Sequence, residues 1–267
     1  MGIKKIYFAQ PWGGLGDSLG YSNLPRLYHE KEILFEVSLL NYSRNKEIHN
    51  LVWKQNKFVG KKVSLKIPNA GYVMFNRNHV NDPNYNIVQT INALHGFDPG
   101  SGYPEIHIKN PYLQNGRYSS VADLNAFSLL NTQGLIYDQK YLEDLKIKLT
   151  NNGVKILDFP NIYSQAKQSD NSISITSIDS LVSILLSTDV FYCLNSGSHT
   201  LAATLKNSFG SPKKIISFLP DSDIKNLKDW GYVYDNVEYD TIPSEENSNP
   251  YLPSKMRIYK RILDYLS

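Results

Sequence analysis

Short apolar runs rich in β-branched and aromatic residues alternate along the chain with stretches whose apolar residues recur every three to four positions. The first run, Ile3–Ala9, is stopped by Pro11, Gly13, Gly14 and Gly16, which predicts a buried strand entering a tight loop. Leu19, Leu24, Leu27 and Tyr28 follow at helical spacing; Asp17 or Ser18 is placed to cap that helix, and Pro25 suits a first turn or a kink. A strand at Ile33–Leu40, a helical stretch at Lys46–Phe58, a strand at Lys62–Ile67 and a helix at Tyr85–Leu94 continue the alternation. Such an order predicts βαβ units around a parallel sheet.

Gly96–Pro104 is dense in turn formers and places a boundary between halves near residues 96–115. Beyond it the pattern predicts a strand at Tyr118–Phe127 and a helix at Gln139–Leu149 stopped by Gly153. Strands at Val154–Phe159 and Ser172–Thr176 follow, then a helix at Ile178–Ser187, a strand at Val190–Leu194, a helix from Ser198 and a strand at Lys214–Leu219. Asp221–Ser248 reads as polar and irregular. Tyr251–Leu266 reads as an amphipathic helix with Lys255, Arg257, Lys260 and Arg261 largely on its polar side. The whole is an α/β chain of two Rossmann-like domains, residues 1–110 and 111–267, with a cleft between them.

Composition narrows the function classes. With 41% hydrophobic and 20% charged residues, the 267-residue chain is an ordinary globular protein. A formal charge of +3 is too mild for a dedicated nucleic-acid binder. The single cysteine, Cys193, forms no intramolecular disulfide and no Cys/His cluster offers a zinc site, which points to a reducing compartment. The N-terminal run is too short for a signal peptide or an anchor, so a cytoplasmic protein is expected.

Two segments carry candidate chemistry. Gly13, Gly14, Leu15, Gly16, Asp17, Ser18, Leu19 and Gly20 lie between a strand and a helix, where glycines let backbone approach a ligand and a helix start presents free N–H groups. The run departs from GxGxxG, with Gly20 one place late. Asp17 is either a helix cap or a general base. In the second segment, Leu194–Ala203, a strand runs through a small-residue turn into a helix. Ser196, Gly197, Ser198 and His199 there form a natural pyrophosphate cradle, or else Asn195 and Ser196 merely cap the helix beside a surface histidine. Asp221-Ser222-Asp223 is a DxD that reads more readily as a turn than as a metal site. His29, His49, His79, His95 and His107 lack metal-ligand spacing, and GxSxG, HExxH and P-loop motifs are absent.

Taken together, the two segments resemble the ADP-heptose:lipopolysaccharide heptosyltransferases and related GT-B glycosyltransferases. The family's GDxLxxxPxL motif is matched at Gly13–Leu27 with two extra residues before Pro25. Its SLxELAxLLxxADLxxxxDSGxxHLAAA stretch is matched in order, spacing and apolar pattern at Ser177–Ala203. Asn195 replaces the family's Asp, and His199 stands one place ahead of the family's His, where this chain has Thr200. The resemblance implies Asp17 as the base that deprotonates an acceptor hydroxyl and Gly13, Gly14 and Gly16 as the acceptor-side loop. It implies Asn195, Ser196, Gly197, Ser198 and His199 as the binding site for a nucleoside-diphosphate sugar, with neither metal nor cofactor. The implied acceptor is a lipopolysaccharide or capsular glycan or glycolipid, with peripheral contact at the inner membrane. Two alternatives remain: a non-catalytic accessory nucleotide-binding protein on the same scaffold, which the Asn195 and His199 departures motivate, and a Rossmann-type oxidoreductase, for which no acidic ribose ligand stands in a GxGxxG frame.

Overall fold

A computed structural model describes residues 4–10, 12–60, 65–70, 84–109, 117–125, 137, 139–160, 171–220 and 231–243. The chain divides into two compact units, Met1–Asn110 with Lys228–Tyr234, and Pro111–Leu227 with Asp235–Ser267.

In the first unit, β1 (Lys5–Phe8) pairs in parallel with β2 (Leu34–Val37), in register from Lys5↔Leu34 to Phe8↔Val37. Only Phe8 of β1 is fully buried, because the exposed start of the strand carries Lys5, whose ammonium reaches Glu36 at 3.1 Å. Phe8 centres an aromatic core, 5.3 Å from the Tyr21 ring, 5.2 Å from Phe35 and 5.1 Å from Trp53. The helix expected after the glycines is two helices, α1 (Leu15–Gly20) and α2 (Leu24–His29). Pro25 sits in the first turn of α2, where its missing N–H costs nothing. Neither Asp17 nor Ser18 is the N-cap of α1. Gly14 is, and Asp17 lies three residues in, reaching back to the Gly14 N–H at 3.1 Å.

The helical stretch expected at Lys46–Phe58 is α3 (Lys46–His49), capped by the Asn45 side chain on the Ile48 N–H, and it runs into a π-helical turn at Asn50–Lys54. Asn56 ends it by accepting the Phe58 N–H. Of the strand expected at Lys62–Ile67, the described residues 65–67 are irregular. Leu65 and Ile67 are 76% and 75% exposed and find no core, and the parallel bridge to Phe8 comes instead at Ala70. The helix α4 (Ile87–Leu94) is capped by Asn86, whose carboxamide oxygen takes the Val88 and Gln89 N–H groups at 3.1 Å.

The second unit is built on one all-parallel sheet. Its elements are β3 (Tyr118–Asp123), α5 (Gln139–Asn151), β4 (Lys155–Asp158), β5 (Ser172–Ser174), α6 (Ile178–Leu186), β6 (Thr188–Leu194), α7 (Gly197–Phe209), β7 (Lys214–Pro220) and β8 (Glu238–Ile242). The spatial order β5-β4-β3-β6-β7-β8 is that of a doubly wound sheet: the chain steps outward from β3 to β5, returns beside β3 as β6, and steps outward the other way. Ser177 and Ser180 cap α6 reciprocally at 3.1 and 3.2 Å, and Gly153 (φ +79°) and Gly210 (φ +71°) supply the left-handed turns after α5 and α7. Ala122, Leu145, Leu149, Ile156, Leu194 and Phe218 form a core cluster under the sheet. β8 lies inside the segment expected to be irregular, since only Ile242 of its five residues is buried and the strand shows no alternating apolar face. Asp221–Asp223 and Tyr251–Leu266 lie outside the described residues. Among the described residues no helix is long and apolar enough to cross a membrane.

Candidate functional site

Two groups of side chains collect at strand ends, one in each unit. In the first unit, the loop after β1 folds tightly onto residues 41–44. Gln10 is buried and holds the Ser18 hydroxyl and the Tyr42 carbonyl, both at 2.8 Å, while the Arg44 N–H donates to the Gly13 carbonyl at 2.8 Å. A Cβ on Gly13 would lie 2.5 Å from the Tyr42 ring and 2.8 Å from the Arg44 nitrogen, so the glycine there admits neighbouring backbone. Gly14 admits the Asp17 carboxylate, which would lie 2.7 Å from its Cβ. Gly16 is the second residue of α1.

Asp17 is only partly buried, and both of its oxygens are engaged. Oδ2 accepts the Gly14 N–H at 3.1 Å and Oδ1 accepts the Tyr232 hydroxyl at 2.7 Å. Burial and the Asp17 charge push the Tyr21 and Tyr232 phenols well above the usual range, so both stay protonated. A carboxylate fixed by two donors keeps lone pairs for a third hydroxyl, which is what a base for an acceptor alcohol requires.

In the second unit, Asp123 ends β3 and Asn195 follows β6, the two strands between which the winding reverses. Ligands of doubly wound sheets bind outside the carboxyl ends of the strands at such a point. Ser196 is the N-cap of the thirteen-residue α7 in extended conformation and makes no side-chain cap bond. Its hydroxyl instead meets the Ser198 hydroxyl at 2.9 Å. Asn195 is buried. The start of a long helix with small residues and two hydroxyls suits an anion.

His199 is wholly buried, its Nε2 3.0 Å from the Tyr239 hydroxyl, and burial lowers its pKa to about 3. The imidazole is therefore neutral at ordinary pH and supports α7 from within the unit, in contrast to the surface histidine that was one reading of the sequence.

Asp123 and Tyr232 were not singled out from sequence. Asp123, 3% exposed, accepts hydrogen bonds from Ser198 and from the Asn125 backbone and side chain, the latter two at 3.0 Å. Burial pushes its pKa up. Cys193, beside it, is buried with its thiol pushed well up by burial and by Asp123, so it is no nucleophile. Of the remaining described histidines, His95 is 2.9 Å from the Tyr28 hydroxyl, His29 lies beside the Phe58 ring, His107 meets Glu105 at 3.2 Å, and His49 ends α3 half-buried. His79 lies outside the described residues.

No protein-family model matches the chain, and no curated protein matches it significantly. Solved structures do resemble it. The iron-containing dodecameric glycosyltransferase TibC from enterotoxigenic E. coli H10407 superposes with a TM-score of 0.59 at 15% identity, over 94% of this chain and 67% of that one. The heptosyltransferase TibC in complex with ADP-D-beta-D-heptose gives 0.60 at 12% identity, over 95% and 70%. E. coli ADP-heptose lps heptosyltransferase II gives 0.58 at 10% identity, over 99% and 100%. The fold is heptosyltransferase-like. A heptosyltransferase-like fold hosts a nucleotide-sugar chemistry in those proteins, and here it puts the two sequence motifs at strand ends. Among the described residues, no three His, Cys, Asp or Glu side chains gather into a metal-holding group.

Proposed function

We propose that the protein is a glycosyltransferase that moves a sugar from a nucleoside-diphosphate donor to a hydroxyl of a bacterial surface glycan, in lipopolysaccharide or capsule. The observation that carries this reading is the Asn195–Ser198 turn, which opens a thirteen-residue helix at the reversal point of a doubly wound sheet. The unit Pro111–Leu227 is read as the donor-binding half and the unit Met1–Asn110 as the acceptor half. Ser196, Gly197 and Ser198 hold the diphosphate, with Asn195 beside them and His199 supporting the turn. Gly13, Gly14 and Gly16 shape the loop that presents Asp17.

In the reaction, Asp17 takes the proton of the acceptor hydroxyl as its oxygen bonds to the anomeric carbon. The bond from that carbon to the diphosphate oxygen breaks, and the departing nucleoside diphosphate is stabilised by the first-turn amides of α7, without a metal. ADP heads the list of donor nucleotides because a fold neighbour binds ADP-heptose. The glycolipid nature of the acceptor, a cytoplasmic location and a contact of Tyr251–Leu266 with the inner leaflet rest on the sequence alone.

A thermal-shift and calorimetric panel of ADP, UDP, GDP, CDP and CMP, with NAD as control and with and without magnesium, tests the donor half. Metal-independent stabilisation by one nucleoside diphosphate is the expected result. Binding without turnover would favour the accessory protein, and stabilisation by NAD alone would overturn the reading. For the base, Asp17→Asn keeps the fold and loses transfer about 100-fold or more; a folded variant at full activity refutes the assignment.

A further inference from the structure

Asp17 is held by a residue 215 positions away in the chain. Tyr232 lies on a short strap, described at residues 231–234, that packs into the first unit although the chain on both sides of Lys228–Tyr234 belongs to the second. Three contacts pin the strap. The Gly231 carbonyl accepts the Ile87 N–H at 2.7 Å, and Gly231 has φ +72° with a Cβ position 2.7 Å from the Ile87 nitrogen, so only glycine fits. The Asn86 amide donates to the Val233 carbonyl at 3.4 Å while also holding the Gly102 carbonyl at 2.7 Å. The buried Tyr234 ring stacks on Tyr103 with centroids 6.3 Å apart. α4 in turn lies on α1, where a Cβ on Gly20 would be 3.3 Å from Ile91. The strap, α4 and α1 thus form one fixed set that delivers a phenol to the carboxylate.

We infer that Tyr232 is a positioning residue for the transfer reaction: its hydroxyl, pinned through Gly231, Asn86 and Tyr234, fixes the rotation of the Asp17 carboxylate and leaves the free lone pairs of Oδ1 and Oδ2 for the acceptor hydroxyl. The inference rests on Asp17 acting as the base. Tyr232 keeps its proton throughout. Gly14 alone, at 3.1 Å on Oδ2, leaves the carboxylate free to turn about the bond to its own Cβ, and the second donor on the other oxygen removes that freedom. Tyr21 and Tyr234 also face this bond, and the Arg44 guanidinium lies near the carboxylate, one nitrogen 3.6 Å from the Gly14 Cβ position that Oδ2 approaches to 2.7 Å.

The test uses the full chain as wild type, Tyr232→Phe, Asp17→Ala and the double variant. In thermal unfolding without ligand, Tyr232→Phe lowers Tm by about 2–6 °C in the wild-type background and by much less in the Asp17→Ala background. In transfer assays with ADP-heptose, UDP-glucose and GDP-mannose as donors and deacylated lipopolysaccharide as acceptor, Tyr232→Phe lowers kcat about 10-fold to 100-fold with the donor KM unchanged. It causes no further loss of residual activity in Asp17→Ala. Equal Tm losses in both backgrounds overturn the contact. A Tyr232→Phe enzyme at full kcat, beside an inactive Asp17→Ala, overturns the positioning role and leaves the transferase reading standing. A wild type that turns over no donor sinks the transferase reading, and the positioning role falls with it.

Discussion

Replacing His199 with glutamine isolates a pH dependence that burial builds into the donor-side helix. The imidazole is wholly buried against Tyr239 and its pKa falls to about 3, whereas an unfolded chain leaves it at the ordinary value of about 6.5. Below about pH 6.5 the unfolded state takes up a proton that the folded state refuses, so stability falls as pH falls. Between about pH 8 and about pH 5 the folded ring stays neutral, and the loss follows the unfolded titration alone: about 1.5 units below the unfolded midpoint at about 1.4 kcal/mol each, or about 2 kcal/mol. His95 titrates in the same window, its pKa lowered to about 4 by burial, so the wild-type curve alone does not assign the loss. Urea unfolding of wild type and His199→Gln at both pH values does. The variant is expected to start less stable at the higher pH, having lost ring packing, and then to lose about 2 kcal/mol less than wild type on acidification. Parallel losses in the two proteins would mean that His199 is solvated, and the account of α7's inner face would be wrong.

Ser198→Ala removes a hydroxyl that meets both Ser196 and Asp123, and it is expected to weaken nucleoside-diphosphate affinity about 10-fold by calorimetry while leaving the fold intact. Gly231→Ala places a Cβ against the Ile87 nitrogen at positive φ and is expected to cost about 2 kcal/mol or more in denaturant unfolding. Asp123→Asn keeps the shape of the Ser198 contact while removing a group whose raised pKa makes folding favour the protonated form. Wild-type stability from this site is present below the unfolded pKa of about 3.9 and lost as pH rises through the folded one. ADP affinity in wild type should therefore weaken with rising pH more than in Asp123→Asn, and superimposable calorimetric pH profiles would refute the contact.

Residues that punctuate the chain locally were legible in the sequence. Gly153 and the Leu194–Gly197 turn mark their boundaries by conformational need or by capping chemistry, and the elements begin or end within a residue or two of them. What stayed hidden depends on neighbours distant in sequence. Asp123 looks like any strand-end aspartate until the strand order puts β3 beside β6 at the reversal point. Tyr232 sits in a polar stretch with no periodicity, and only the pairing of Gly231 with Ile87 brings it to Asp17. Asp17 itself was read either as a cap or as a base. It is placed at the third helical position, where its carboxylate reaches back to the Gly14 N–H and remains partly exposed, so the N-cap is Gly14 and not Asp17.

The charge balance at the donor turn determines what must supply its affinity. Asp123, Asn195, Ser196, Gly197, Ser198 and the neutral His199 include no positive charge, so among these six the pull on a diphosphate comes from the helix start and two hydroxyls. A helix terminus contributes about 0.3–2 kcal/mol to an anion, whereas micromolar binding corresponds to about 8 kcal/mol. Burial eases the one adverse charge by favouring neutral Asp123, but it adds no attraction. The larger share of donor affinity must then come from residues that grip the base and ribose, and such contacts discriminate among nucleosides as a phosphate cradle cannot. One nucleoside diphosphate should accordingly stand out from the panel by tenfold or more; equal affinity for all of them would mean that the diphosphate itself is the main handle and that cations from elsewhere in the chain reach this turn.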